Sequence, residues 1–81
     1  MDFSLYSDAI LLRDLPEAGL CRGDIGTIVE VHHVRGLETG YSVEFFDILG
    51  NTVEIITLPM SDLRLPTAAD RPAARCMTQI A

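Results

Sequence analysis

The sequence predicts an all-β fold, namely a small five-stranded SH3-like barrel with a one-turn helix before the last strand. Three features predict it: short runs rich in β-branched and aromatic residues, alternation of apolar and polar side chains, and turns that contain glycine or proline. A chain of 81 residues has room for one core. We therefore assign residues 1–66 to the barrel and residues 67–81 to a C-terminal tail that is loose or weakly helical.

The first two strands are predicted on either side of a long loop. The run SDAILL, residues 7–12, gives way to a loop in which Pro16 fixes φ and Gly19 can adopt a positive φ. The run IGTIVEVHHV, residues 25–34, follows this loop. It is the strongest strand prediction because β-branched side chains fit a pleated sheet.

The glycines before the second strand have two interpretations, a phosphate-binding loop or the sharp corner of a barrel. The stretch from residue 21 to 34 has neither a Gly-x-Gly-x-x-Gly nor a Gly-Lys-Ser/Thr pattern, and it opens a strand instead of a helix, so we favour the corner. Ile28 and Val29 are both apolar, although consecutive strand residues face opposite sides, so a bulge or bend is expected near Gly26. Gly26 itself should have a positive φ or pack where a Cβ would collide with another backbone.

The remaining strands are predicted around a hairpin. The turn DILGN has the aspartate and glycine of a short hairpin loop, so the strands at residues 40–46 and 52–58 should pair antiparallel. Alternation along YSVEFFDI places Val43 and Phe45 in the core. The stretch LPMSDLRL then has a proline that ends the strand, a Ser/Asp pair suited to one helical turn, and a short last strand around Leu63.

The charge of the chain favours a basic protein as partner. The net charge is −6 with an isoelectric point near 4.5, and the chain has no lysine. Nucleic-acid binding requires clustered Lys and Arg, so nucleic acid is not an expected partner. No apolar run approaches the roughly 20 residues of a membrane-spanning helix, and the N-terminus lacks the basic region of a signal peptide. We predict a cytoplasmic protein without a membrane partner, in which Cys21 and Cys76 are reduced.

No catalytic, cofactor or metal site is predicted. His32 and His33 are adjacent, so on a strand they point to opposite faces and cannot bind one metal ion together. Glu30, Glu44 and Glu54 lie in the middle of strands, where paired carboxylates could serve acid–base chemistry. We interpret them instead as the solvated face of an antiparallel sheet, and we predict that the protein is not an enzyme.

The candidate partner-binding set combines loop acids, strand acids and aromatic residues. The loop acids flank a Leu-Pro pair in the first loop, where SH3-type domains often meet basic ligands. The strand acids are expected on the polar side of the sheet, and the aromatic residues on an apolar rim. Ordinary solvated charge is the alternative interpretation. The set comprises Asp14, Glu17, Tyr41, Glu44, Phe46 and Glu54.

The order LLRDLPEAGLCRGDIGTIVEV, then YSVEFFDILGNT, then TLPMSDLRL resembles a family of short, mostly bacterial and cyanobacterial stand-alone proteins known as a domain of unknown function. The resemblance covers residues 9–65 and extends more distantly to the SH3-like barrels of nitrile hydratase β-subunits and ribosomal KOW modules. It implies the fold and brings no catalytic residues. Some members lie beside genes for small toxin-like proteins, which implies an immunity or antitoxin role.

Three functional hypotheses follow. The first is a non-enzymatic interaction module that binds a basic protein through its acidic strands and first loop, and the antitoxin is its narrower form. The second is an accessory or assembly subunit of a separate enzyme, as the likeness to nitrile hydratase β-subunits implies. The third is RNA binding of the KOW type, which the acidic charge disfavours.

Overall fold

The structure is a computed structural model that describes residues 3–75. Two 3-10 turns occur in this part of the chain, Pro16–Ala18 after the first strand and Met60–Asp62 before the last. The predicted all-β fold, its five strands and its one-turn helix before the last strand are confirmed. In chain order the strands are β1 (Asp8–Leu11), β2 (Ile25–His32), β3 (Gly40–Phe46), β4 (Thr52–Pro59) and β5 (Leu63–Arg64).

The five strands form one antiparallel sheet in the order β4-β3-β2-β1-β5, which curls into a half-barrel. Strands β1 to β4 each pair with the next strand along the chain. Strand β5 returns to pair with β1, where Leu63 lies opposite Leu11. The predicted antiparallel hairpin of β3 and β4 is confirmed, and β4 and β5 are the two edges of the sheet.

The core lies on one face of the sheet, which we call the core face. Val43 and Phe45 are both buried there, as the alternation predicts. The first loop adds Leu15 and Leu20, which exchange two backbone hydrogen bonds of 2.9 and 3.1 Å and are also buried. The loop between β1 and β2 therefore contributes side chains to the core as the strands do.

Gly26 allows β2 and β3 to approach closely. A Cβ on Gly26 would lie 2.5 Å from Cγ1 of Val43, which is too short for any real contact. It would lie 3.0 Å from the carbonyl oxygen of Glu44, which is tighter than most contacts. The φ of Gly26 is not positive. Of the two alternatives expected for this glycine, the second is therefore confirmed: a Cβ would collide with neighbouring backbone and side-chain atoms. The irregularity expected near Gly26 lies at Val29, where the register with β3 shifts.

Two ion pairs join the described part of the tail to the half-barrel. The two terminal nitrogens of the Arg64 guanidinium, Nη2 and Nη1, donate to the Asp70 carboxylate at 2.7 and 3.0 Å. The guanidinium, together with the backbone N–H of Thr67, holds the pKa of Asp70 well below its ordinary value. Farther along, Arg75 donates to Asp24 at 2.5 Å.

Residues 67–75 contain a turn and no helix. The rest of the predicted tail, residues 76–81, lies outside the described residues. The reduced state predicted for Cys21 and Cys76 therefore stays a prediction.

The packing at Gly26 predicts a large loss of stability when a methyl group is added. Gly26→Ala should lower the free energy of unfolding by about 1–3 kcal/mol, because the new Cβ forces Val43 or the β3 backbone to move. Gly40→Ala is the matched control, since its Cβ would meet no atom closer than 3.8 Å. Urea denaturation measures both variants. Equal stability of the two would show that β2 and β3 do not depend on this contact.

Candidate interaction surface

The β3–β4 hairpin carries negative charge and has no basic residue of its own. Residues 36–63 contain five acidic residues and no lysine, arginine or histidine. Glu44, Asp47 and Glu54 belong to the two strands or to the turn that joins them. Charges of one sign sum to a field that extends from the surface, and here that field is negative.

The turn between β3 and β4 is held by Asp47. Its carboxylate accepts hydrogen bonds from the backbone N–H groups of Leu49 at 3.0 Å and Asn51 at 2.8 Å, and from the Asn51 side-chain amide at 3.1 Å. Gly50 supplies the positive φ, 90°, that the turn requires. These N–H donors favour the charged carboxylate and lower the pKa of Asp47. Asp47 therefore stabilises the turn in addition to carrying negative charge.

The same turn exposes large aliphatic side chains. Ile48 is 93% exposed and Leu49 is 84% exposed, and Phe46 and Ile55 on the adjoining strands are also exposed. Several exposed apolar side chains on one hairpin are unusual for a surface without a partner. We use the name hairpin surface for these apolar residues together with the three acids: Glu44, Phe46, Asp47, Ile48, Leu49, Glu54 and Ile55.

Three apolar members of the hairpin surface, and the turn aspartate Asp47, were not in the predicted partner-binding set. Ile48 and Leu49 lie within the DILGN turn, and Ile55 lies on β4. A signal for the first two was present, because short hairpin turns normally hold polar residues or glycine. Ile55 gave no such signal, since the sequence alone does not show which of two adjacent isoleucines faces the core.

Glu44 and Glu54 lie on opposite faces of the sheet. Glu44 is opposite Ile55 on the outer face, whereas Glu54 is opposite Phe45 on the core face. Glu54 stays exposed although it shares a face with the core. The expectation that both glutamates share one polar side is wrong, because the register of β3 and β4 shifts between Phe45 and Phe46.

The two loop acids of the predicted set belong to a different element. Asp14 accepts a hydrogen bond of 2.8 Å from the backbone N–H of Arg22, and this bond ties the two ends of the first loop together. Glu17 lies exposed in the 3-10 turn of that loop. The structure therefore divides the predicted set between two elements, and the hairpin holds Glu44, Phe46 and Glu54.

Tyr41 does not belong to an apolar rim. Its side chain is 1% exposed, and its hydroxyl accepts a hydrogen bond of 3.2 Å from the backbone N–H of Phe3. The two rings meet edge to face with centroids 5.1 Å apart. Tyr41 follows the same alternation that buries Val43 and Phe45, so it packs in the core and its predicted place at the surface is corrected here.

Arginine side chains neutralise acids away from the hairpin. Among the described residues, three ion pairs join an arginine to an aspartate, and none of them involves a residue of the hairpin surface. The pairs are Arg13 with Asp62 at 2.9 Å, Arg64 with Asp70 at 2.7 Å and Arg75 with Asp24 at 2.5 Å. The acids of the hairpin surface are therefore left outside these arginine pairs.

A row of polar side chains crosses the outer face of β2, β3 and β4. The Ser42 hydroxyl lies 2.9 Å from His32 Nε2 and 2.9 Å from the Thr57 hydroxyl. Glu30 approaches the same imidazole nitrogen at 3.5 Å, so it does not orient the ring through the other nitrogen as a catalytic triad requires. Within residues 3–75 no group of three metal-ligating side chains comes together. We interpret the row as cross-strand hydrogen bonding that satisfies the buried Ser42.

A groove of about 750 Å³ lies between the turn end of the hairpin and the described part of the tail. Phe46 lines it together with charged groups of both signs, including Arg22, Arg71, Asp24 and Asp47. Because these charges oppose one another, the groove does not extend the acidic hairpin surface.

The fold and this surface define a small all-β half-barrel domain with an acidic, partly apolar hairpin. The chain belongs to the family described as Domain of unknown function (DUF4926), whose model matches residues 5–65. This range contains all five strands and the whole hairpin surface. No curated protein and no solved structure matches the chain.

Within residues 3–75, no helix has the length and apolar character needed to cross a membrane.

The hydrogen bonds to Asp47 predict a pH-dependent contribution to stability. A carboxyl whose pKa is lowered in the folded state stabilises the fold above its unfolded pKa, near 3.8, and this contribution is lost as the pH falls through the folded pKa. Asp47→Asn should therefore be less stable than the wild type near neutral pH, and the difference should shrink in acid. Urea denaturation across this range measures it.

Glu17→Gln is the control for this measurement, because Glu17 is an exposed carboxylate outside the hairpin turn. A difference between wild type and Asp47→Asn that stays constant from neutral to acid pH would show that the charge of Asp47 does not stabilise the turn.

Proposed function

We propose that the protein is a non-enzymatic interaction module that binds a basic protein through the hairpin surface. One observation carries the proposal: residues 36–63 contain no basic residue, four of their five acids lie outside the arginine ion pairs of the described residues, and the hairpin within them exposes Ile48 and Leu49. An acidic surface accelerates the encounter with a basic partner, and exposed aliphatic groups gain free energy when they are buried. The two properties together fit recognition of a protein.

A narrower form of the proposal is that the partner is a toxin-like enzyme which this module neutralises. It is supported by the acidic charge and by the family resemblance, in which members lie beside genes for small toxin-like proteins. An accessory subunit of a metabolic enzyme would use the same surface, and the identity of the protein encoded beside this one distinguishes the two. We also interpret the half-barrel as SH3-like, because β5 follows a one-turn helix and returns to pair with β1.

The charge of the hairpin predicts a salt-sensitive association rate. The protein encoded by the neighbouring gene should bind at low salt, and its association rate should fall as the Debye length shrinks from about 10 Å at 0.1 M to about 3 Å at 1 M. The double variant Glu44→Gln/Glu54→Gln should reduce the low-salt rate at least about fivefold while dissociation changes less. Stopped-flow or surface-binding kinetics measures both rates.

The double variant Asp8→Asn/Glu17→Gln is the matched control, since it removes two exposed charges that lie outside the hairpin. Its association rate should stay close to that of the wild type. If both double variants slow association equally, net charge and not the hairpin directs binding. If no complex forms even at low salt, the antitoxin form of the proposal fails.

The apolar part of the hairpin surface predicts an effect on dissociation. Ile48→Ser removes an aliphatic group that is exposed in the free protein, so the fold should keep its stability. If Ile48 is buried in the complex, its loss should accelerate dissociation about tenfold or more. Leu37→Ser is the control, because Leu37 is also largely exposed but lies outside the hairpin. Equal dissociation rates for the two variants would remove Ile48 from the interface.

A further inference from the structure

The two edges of the sheet differ in how they are protected. Strand β5 has two residues, and its Arg64 side chain is held by Asp70 of the tail. Strand β4 has eight residues and, among residues 3–75, pairs only with β3, so the described chain leaves its other edge unpaired. An unpaired edge offers a row of backbone N–H and C=O groups to any extended segment that reaches it.

The β4 edge lacks most of the features that prevent strand pairing. The chain has no lysine, and Pro59 is the last residue of the strand, so neither interrupts the TVEIITL run. This run is rich in β-branched residues, which favour extended backbone. Ile55 is exposed on the outer face of the strand and so offers an apolar contact to an added neighbour.

One charged side chain gives this edge its selectivity. Glu54 is exposed on β4, and none of the arginine ion pairs among the described residues involves it. Antiparallel pairing of β4 with a second copy would bring like charges together in any register that places the two Glu54 residues opposite each other. A basic segment would instead neutralise the same charges.

We propose that β4 binds an extended segment of the basic partner as a sixth strand, with a Lys or Arg beside Glu54 and an aliphatic side chain beside Ile55. This inference rests on the proposed function and specifies how the hairpin surface meets its partner. Backbone hydrogen bonds along the edge supply affinity, and the two side-chain positions supply selectivity. The required pattern in the partner is alternation of basic and β-branched residues.

The test uses the full chain and a synthetic peptide of alternating lysine and valine, about seven residues long, as an ordinary strand. Amide hydrogen exchange followed by NMR is the readout. On binding, every second amide of β4 should become protected, because alternate N–H groups of an edge strand point away from β3. A peptide with glutamate in place of lysine should not bind, nor should a lysine peptide with proline at its central positions.

Two variants test the side-chain positions. Ile55→Lys should weaken binding of the lysine peptide at least about tenfold, because it adds a like charge to the edge. Leu5→Lys is the matched control, since Leu5 is 50% exposed and Ile55 is 54% exposed, and Leu5 lies outside the sheet. Glu54→Lys should reverse the preference, so that the glutamate peptide binds in place of the lysine peptide.

The outcomes separate this inference from the proposed function. Salt-sensitive peptide binding that protects no β4 amide and tolerates central prolines would overturn strand pairing while leaving an acidic binding surface. Protection of β4 that rises with protein concentration in the absence of peptide would show that a second copy occupies the edge, and would also overturn it. Absence of peptide binding at low salt would overturn strand pairing. The proposed function would still be tested separately, by the binding kinetics of the protein encoded by the neighbouring gene.

Discussion

The fold depends on the close approach of β2 and β3 at Gly26. Because this residue has no side chain, Cδ1 of Phe45 occupies space only 3.1 Å from where a Cβ would lie. Ala9, the other neighbour of Gly26 across the sheet, is also small and is fully buried. The three residues form a row on the core face that lets the sheet curl without a gap beneath Phe45. The next residue of this row is Glu54 on the edge strand, so the core packing also determines where the exposed glutamate lies.

The strands, the antiparallel pairing of β3 with β4 and the core positions in β3 could be predicted because they depend on local patterns. Alternation identified Val43 and Phe45, and the glycine pattern identified Gly26 as a position of close packing. The face of Glu54 could not be predicted in this way. The face of Glu54 depends on a register shift opposite Phe45 and Phe46, and no residue type in β4 indicates such a shift.

The candidate surface was predicted in part, for a similar reason. Sequence patterns count charges along the chain but do not show which acids are neutralised in space. Asp24 pairs with Arg75 and Asp62 with Arg13, over separations of 51 and 49 residues along the chain. Asp14 accepts a hydrogen bond from a backbone N–H. The absence of any cation between residues 36 and 63, by contrast, is visible in the sequence. That feature, and not the total charge, distinguishes the hairpin from the rest of the surface.

The hairpin combines two properties that oppose each other in an isolated protein. Exposed aliphatic side chains and an unpaired β-branched edge promote association with any available strand, including one from an identical molecule. Acids on the same hairpin counter this, because identical hairpins repel each other wherever Glu44, Asp47 and Glu54 would meet their own copies. The repulsion disappears only for a partner of opposite charge. A lysine or proline within β4 would have prevented self-association equally well, but it would also have excluded a basic strand. In the proposed mode of binding, glutamate at the edge leaves the hairpin accessible to a basic strand and disfavours those pairings of identical copies that bring the glutamates together.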